Sequence, residues 1–178
     1  MEIYVNWVKT NPLLSAFIQF AVLGTLGEFI SISIKQKKIG PIGNWWQTLS
    51  KVLAWGILGI IIKYGFVGIK GAVRALISNG LFPGIFKDGL GWAFSVSVAT
   101  NLFFGPQMMF FHRLEENIIH WKWDLKGLVA AFKTLIWFWI PAHTVTFILP
   151  VNYQIGLAAI WSIALGIILG ITLPRNKN

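Results

Sequence analysis

An all-α, polytopic transmembrane helix bundle with five spans is the fold class this sequence predicts, and three observations carry the prediction. Five stretches stay apolar for roughly the 20 residues that a bilayer-crossing helix needs. Only 12% of residues are charged and 56% are hydrophobic, where a soluble domain carries about a quarter charged residues. The connectors also divide by charge: most loop cations fall on alternate connectors, as membrane topology demands. A length of 178 residues suits one domain, 1–178.

The first span, 13–34, is opened by Asn11-Pro12, since proline is tolerated at a first helical position. Lys35, Lys37 and Lys38 stop it. Gly40-Pro41 and Gly43-Asn44 are turn chemistry, and Trp45-Trp46 is typical of a membrane interface. The second span begins near Ser50, and its apolar centre is 52–69. Gly65, Gly68 and Gly71 permit a kink or a close helix contact before Phe82-Pro83-Gly84 ends it. The third span, 87–111, carries Gly91, Ser95 and Ala99 every four residues, a stripe that lets another backbone approach. Pro106 is expected to kink it. A polar segment, 112–133, precedes the fourth span, 134–149, which contains Pro141 and His143. The fifth span, 153–173, repeats small residues at Ala158, Ser162, Gly166 and Gly170, again the spacing of a close crossing.

With five spans, one side of the membrane receives Lys35, Lys37, Lys38, Lys51, Arg113, Lys122, Lys126, Lys133, Arg175 and Lys177. That side is cytoplasmic by the positive-inside rule, which puts the amino terminus outside and the carboxyl terminus inside. Four spans plus an interfacial helix is the alternative, and it spoils the charge asymmetry. The net charge of +9 does not imply nucleic acid. A nucleic-acid module gathers its cations on a polar face, whereas these mostly punctuate apolar runs. Anionic headgroups at the cytoplasmic face are the expected partners, with the chain acting alone or as a homo-oligomer. There is no cysteine, hence no disulfide or thiolate metal site. The first apolar run is too long for a signal-peptide core and is expected to stay in the mature chain.

Chemistry is expected where polar groups interrupt the apolar runs. Lys63 lies near the middle of the second span, and Lys70 and Arg74 follow at steps of seven and four, so one helix face carries all three cations. An intramembrane cation is a functional-site hypothesis; the competing reading is snorkelling of the stems toward the headgroups. At 1.5 Å per residue, Glu28 lies ~9 Å, Lys63 ~17 Å and His143 ~14 Å from the cytoplasmic end of their spans. Similar depth predicts a Glu28–Lys63 pair facing the bundle interior, directly or through water. Asn101 and His143, with Gln19 beside them, would complete a hydrated polar cavity. A buried ion pair that only sets helix register is the alternative. His112, Glu116 and His120 recur at four-residue steps as metal ligands do, a weak signal at a water boundary where polar residues are expected anyway. No phosphate-binding glycine loop, G-x-S-x-G or H-E-x-x-H occurs, so neither an enzyme activity nor a cofactor is expected.

The order of features resembles the family of the peroxisomal membrane protein and the mitochondrial inner-membrane Mpv and Sym proteins. Asn11-Pro12 and Gly27-Glu28 look like that family's proline-led first helix with Gly-Asp near its end. Lys87-Asp88 matches part of its Lys-x-x-Asp-Gln, and Gly105-Pro106 its Gly-Pro-x-x-His-x-Trp-Tyr, one helix later than in the family. The stretch Trp139-Ile140-Pro141-Ala142-His143 through Phe147-Ile148-Leu149-Pro150 is similar to its Trp-Pro-x-x-Gln-x-x-Asn-Phe signature, with His143 in place of glutamine. The resemblance implies a divergent member in a bacterial plasma membrane, or in an organelle membrane of a eukaryote, linked with channel or small-solute permeability. A small polar pore lined by Glu28, Lys63, Asn101 and His143 is therefore the expected function. A non-conducting scaffold stands second and a metal-dependent membrane enzyme third.

Overall fold

The structure, a computed structural model, describes residues 1–125 and 127–172, without the side chains of 169, 170 and 172. Lys126, Arg175 and Lys177 lie outside the described residues, as does the end of the chain from 173 onward, and Gly170 is described only as part of its helix. Every long element among the described residues is helical. Four helices are long and apolar enough to cross a membrane: Pro12–Gln36, Trp45–Ser78, Leu128–Ile148 and Val151–Ile168. The run expected as a third span lies within a continuous helical stretch, 89–120, which does not reach the same apolarity. Its glycines, serines, Trp92 and Asn101 dilute the leucine, valine and phenylalanine. By contacts the chain forms two compact units, 1–60 with 156–178, and 61–155.

The first unit contains α1 (Glu2–Thr10), α2 (Pro12–Gln36), the start of α3 (Trp45–Ser78) and most of α8 (Val151–Thr172). Pro12 occupies the first turn of α2. Lys37 closes the helix in the left-handed conformation, φ 53, with its own N–H on Ile34 O and that of Lys38 on Ser33 O, which satisfies carbonyls the helix end would orphan. A capping box starts α3: Asn44 Oδ1 accepts from the Gln47 N–H at 2.9 Å, and Gln47 Oε1 accepts from the Asn44 N–H at 3.0 Å. The helix therefore begins five residues earlier than the apolar run suggests and runs about 51 Å at 1.5 Å per residue. Small residues set the packing. A Cβ on Gly59 would strike the Ala16 carbonyl and Phe20, and one on Gly27 would lie 2.7 Å from Ser162 O. Gly166 faces the Gly27 backbone, and Ser162 Oγ donates to Leu23 O at 3.4 Å. The expected close crossing at Ser162 and Gly166 thus exists, with α2 as the partner; Ala158 on the same stripe is buried.

The second unit begins within α3 and holds α4 (Gly89–Ala99), α5 (Gly105–His120), α6 (Leu128–Thr134) and α7 (Ile140–Ile148). α4 packs on α7; its Ala93, Val96 and Ser97 are buried, and Ser97 Oγ donates to Ile140 O at 2.7 Å. This face lies beside the predicted Gly91–Ser95–Ala99 stripe: Gly91 meets the backbone of Ile85 and Phe86 just before its own helix, and Ser95 bonds Gly91 O. Gly65 admits the Phe104 ring, whereas Gly68 and Gly71 face open space and α3 continues unbroken through all three.

Before Pro106 and Pro141 the helix widens into π-turns at Thr100–Phe104 and Leu135–Trp139. The N–H of Gly105 reaches back five residues to Thr100 O, and that of Ile140 to Leu135 O. Each proline stands six residues after the start of its π-turn (100 to 106, 135 to 141). A proline ring clashes with the carbonyl four residues back, and a widened turn moves that carbonyl aside while the helix carries on.

Candidate functional site

Glu28 is in contact with a different lysine from the one expected. Its Oε1 pairs with Lys51 Nζ, and its Oε2 accepts from Trp55 Nε1 at 3.1 Å. Lys51 and Trp55 are one turn apart on α3, so a single helix face addresses both carboxylate oxygens. Lys51 is only 2% exposed. The Lys51 ammonium offsets the Glu28 charge and the Trp55 N–H holds its other oxygen, both charge-assisted contacts. The sequence places Lys51 among the loop cations because the apolar run begins after it; the capping box at Asn44 draws it into the helix. Gln19, the other polar residue of α2, accepts from Tyr4 Oη at 2.8 Å and donates to Ser15 O at 2.9 Å.

The cation stripe of α3 lies in the second unit. Phe66 sits between Lys63 and Lys70 on the same face, buried, its ring 5.4 Å from the His143 ring and 4.8 Å from Phe147. Burying Phe66 and Val73 carries Lys70 inward with them: Lys70 is 8% exposed. Lys70 Nζ donates to Gln154 Oε1 at 2.8 Å, and Gln154 Nε2 donates to Leu149 O at 2.9 Å. Lys63 is half-buried and has no hydrogen bond or ion pair among the described residues. Arg74 is exposed, with its guanidinium 5.2 Å from the Trp92 ring centroid. No carboxylate stands within ion-pair distance of Lys63, Lys70 or Arg74 among the described residues. Buried charges are ordinarily paired, and Lys70 has a neutral amide instead.

Asn101 and His143 are brought together, as expected. Asn101, in the first π-turn, donates from Nδ2 to Ser97 O at 2.8 Å and contacts His143 Nδ1 at 3.1 Å. The Ser97 carbonyl can only accept, so it holds the Asn101 amide nitrogen toward itself and toward the ring. His143 Nδ1 is then the acceptor and the ring proton sits on Nε2. Asn101 is 4% exposed, yet its Oδ1 has no partner among the described residues; nor do the buried Thr100 Oγ1 and Trp139 Nε1. The Trp139 and His143 ring centroids are 5.0 Å apart. Each π-turn therefore carries or adjoins a buried polar atom without a hydrogen-bond partner among the described residues.

His112, Glu116 and His120 do not converge as a metal site. His112 Nδ1 lies 3.7 Å from Glu115 Oε2 and His120 Nε2 3.6 Å from Glu116 Oε2, two separate pairs along α5. Among the described residues no group of three His, Cys, Asp or Glu side chains is placed to hold a metal ion.

Gln154, Phe66, Ser97 and Trp55 are the residues sequence reasoning missed. Gln154 was open to detection as a polar side chain at the start of an apolar run; the others look like ordinary span residues. No family model matches the chain, and no curated protein or solved structure matches it.

Proposed function

We propose that this chain is a membrane protein with a small transport cavity in its second unit, lined by Lys63, Lys70, Asn101 and His143, and that the transported solute is a small anion. The observation that carries the reading is Lys70: a buried ammonium whose partner is the neutral Gln154, on a helix face with two further cations. Glu28 leaves the proposed lining because Lys51 already offsets its charge and Trp55 occupies its other oxygen. A site whose fixed charge is positive attracts anions and repels cations. Asn101 and His143 would supply uncharged polar atoms, His143 lying against Phe66 of the same α3 face.

Five spans, with the amino terminus outside and the carboxyl terminus in the cytoplasm, are part of the proposal. Leu90, Phe94, Leu102, Phe103, Phe110 and Phe111 are exposed along 89–111, and lipid covers such a surface better than water does. Kinship with the Mpv and peroxisomal membrane protein family is also proposed, on the motif residues alone. A non-conducting scaffold is the second reading, favoured by the Glu28–Lys51–Trp55 contact, which would work as a lock between helices.

Anion influx into liposomes containing the purified chain and an entrapped anion-quenched dye tests the function. Iodide and nitrate enter with wild type and with Lys70→Arg, and at the empty-liposome rate with Lys70→Met. No influx with wild type, or equal influx with Lys70→Met, overturns the anion cavity.

A further inference from the structure

A second polar feature lies at the far end of the cation stripe. Arg74, Ile77 and Ser78 of α3 and Lys87, Asp88, Gly89 and Trp92 at the start of α4 line a cleft of about 380 Å³, within the range of small-ligand sites. The Arg74 guanidinium lies over the Trp92 ring, 5.2 Å from its centroid, and its fork of N–H groups suits a bidentate acceptor. Neither Arg74 nor Lys87 has an ion pair among the described residues. Asp88 precedes α4 but makes no side-chain cap hydrogen bond, so it leaves the first amides of that helix unsatisfied by any side chain. Two cations and uncapped helix amides in one concavity suit a phosphate group.

The ligand's charge follows from Asp88. Arg74, Lys87 and Asp88 sum to one positive charge, which suits a singly charged phosphodiester and disfavours a dianionic monoester. Leu81, Ile85 and Leu90 around the same tip are 70%, 77% and 66% exposed, an apolar collar that acyl chains would cover. We infer that this cleft binds the phosphodiester headgroup of a membrane phospholipid, with its acyl chains along Leu81, Ile85 and Leu90. The inference rests on the membrane reading and is independent of anion conduction. Under the proposed topology it lies on the side opposite the cytoplasmic loop cations.

Native mass spectrometry of the purified chain in detergent tests it without any flux measurement, so either reading can fail alone. The probes are phosphatidylglycerol, diacylglycerol and inorganic phosphate. Wild type retains phosphatidylglycerol at least tenfold more strongly than diacylglycerol. Lys87→Gln, a change at an exposed side chain, weakens retention about threefold, and Arg74→Gln with Lys87→Gln at least tenfold; Asp88→Asn leaves retention equal or tighter. Equal retention of the two lipids overturns the inference, and so does undiminished phosphatidylglycerol binding in the double variant. Inorganic phosphate competing at the lipid's own concentration overturns the lipid as ligand. Unchanged helical circular dichroism is required of each variant, and Arg74→Lys replaces Arg74→Gln if the latter does not fold.

Discussion

Replacing Lys70 by methionine separates a functional cation from a structural one, because the two roles predict opposite signs. Methionine keeps the length of the stem and removes the ammonium. The lost bond to Gln154 Oε1, 2.8 Å long, is charge-assisted and is worth about 1.5–3 kcal/mol. Gln154 keeps its own bond to Leu149 O at 2.9 Å, so one buried acceptor is orphaned, a part of that same loss. On the other side stands the desolvation of an ammonium only 8% exposed, several kcal/mol even after relaxation. The balance makes Lys70→Met neutral to about 2 kcal/mol more stable. Adding Gln154→Leu removes the orphan and gains about a further 1 kcal/mol. Unfolding of the purified protein in mixed micelles, by increasing SDS fraction, measures both. Anion influx falls to background in the same variants. A loss of more than about 3 kcal/mol on Lys70→Met would refute the reasoning, since the ammonium would then be holding the second unit together.

The Glu28 contact should behave in the opposite way. Glu28→Gln leaves Lys51, 2% exposed, without its counter-charge and costs about 3–5 kcal/mol, measured in the same unfolding assay; a cost below about 1 kcal/mol would show that the pair is not a lock. Two glycine variants calibrate the packing. Gly27→Ala places a Cβ 2.7 Å from the Ser162 carbonyl and costs about 1–3 kcal/mol, whereas Gly68→Ala, with nothing within 4 Å, gains about 0.5–1 kcal/mol of helix propensity. Topology is read most directly at the ends. The chain has no cysteine, so a cysteine introduced at Ile3 and another in a carboxyl-terminal extension report sidedness to an impermeant maleimide. Five spans label the amino-terminal one from outside and the other only after lysis; labelling of both from one side restores the four-span alternative.

Legibility in the sequence followed the range of the interaction. The apolar runs of α2, α3 and α8 and the Ser162–Gly166 stripe were readable because hydropathy and small-residue spacing are local properties of a helix. The apolar run places the start of α3 five residues late, because the start is set by the polar capping box Asn44-x-x-Gln47, which also alters the environment of Lys51. Glu28 could be recognised as a buried acid in need of a cation, but the choice among Lys51, Lys63 and Lys70 depended on which faces of α2 and α3 meet. Gly56 against Phe17 and Gly59 against Ala16 set that meeting, and no single-helix pattern encodes it.

Composition, charge spacing and proline positions alone determined that this is a helical chain suited to a membrane, with a basic stripe on its longest helix. Only the tertiary structure decided which of those charges are satisfied. The π-turns before the two prolines lie where Ser97 reaches the Ile140 carbonyl and Asn101 meets His143, contacts between helices distant in sequence that no single-helix pattern encodes.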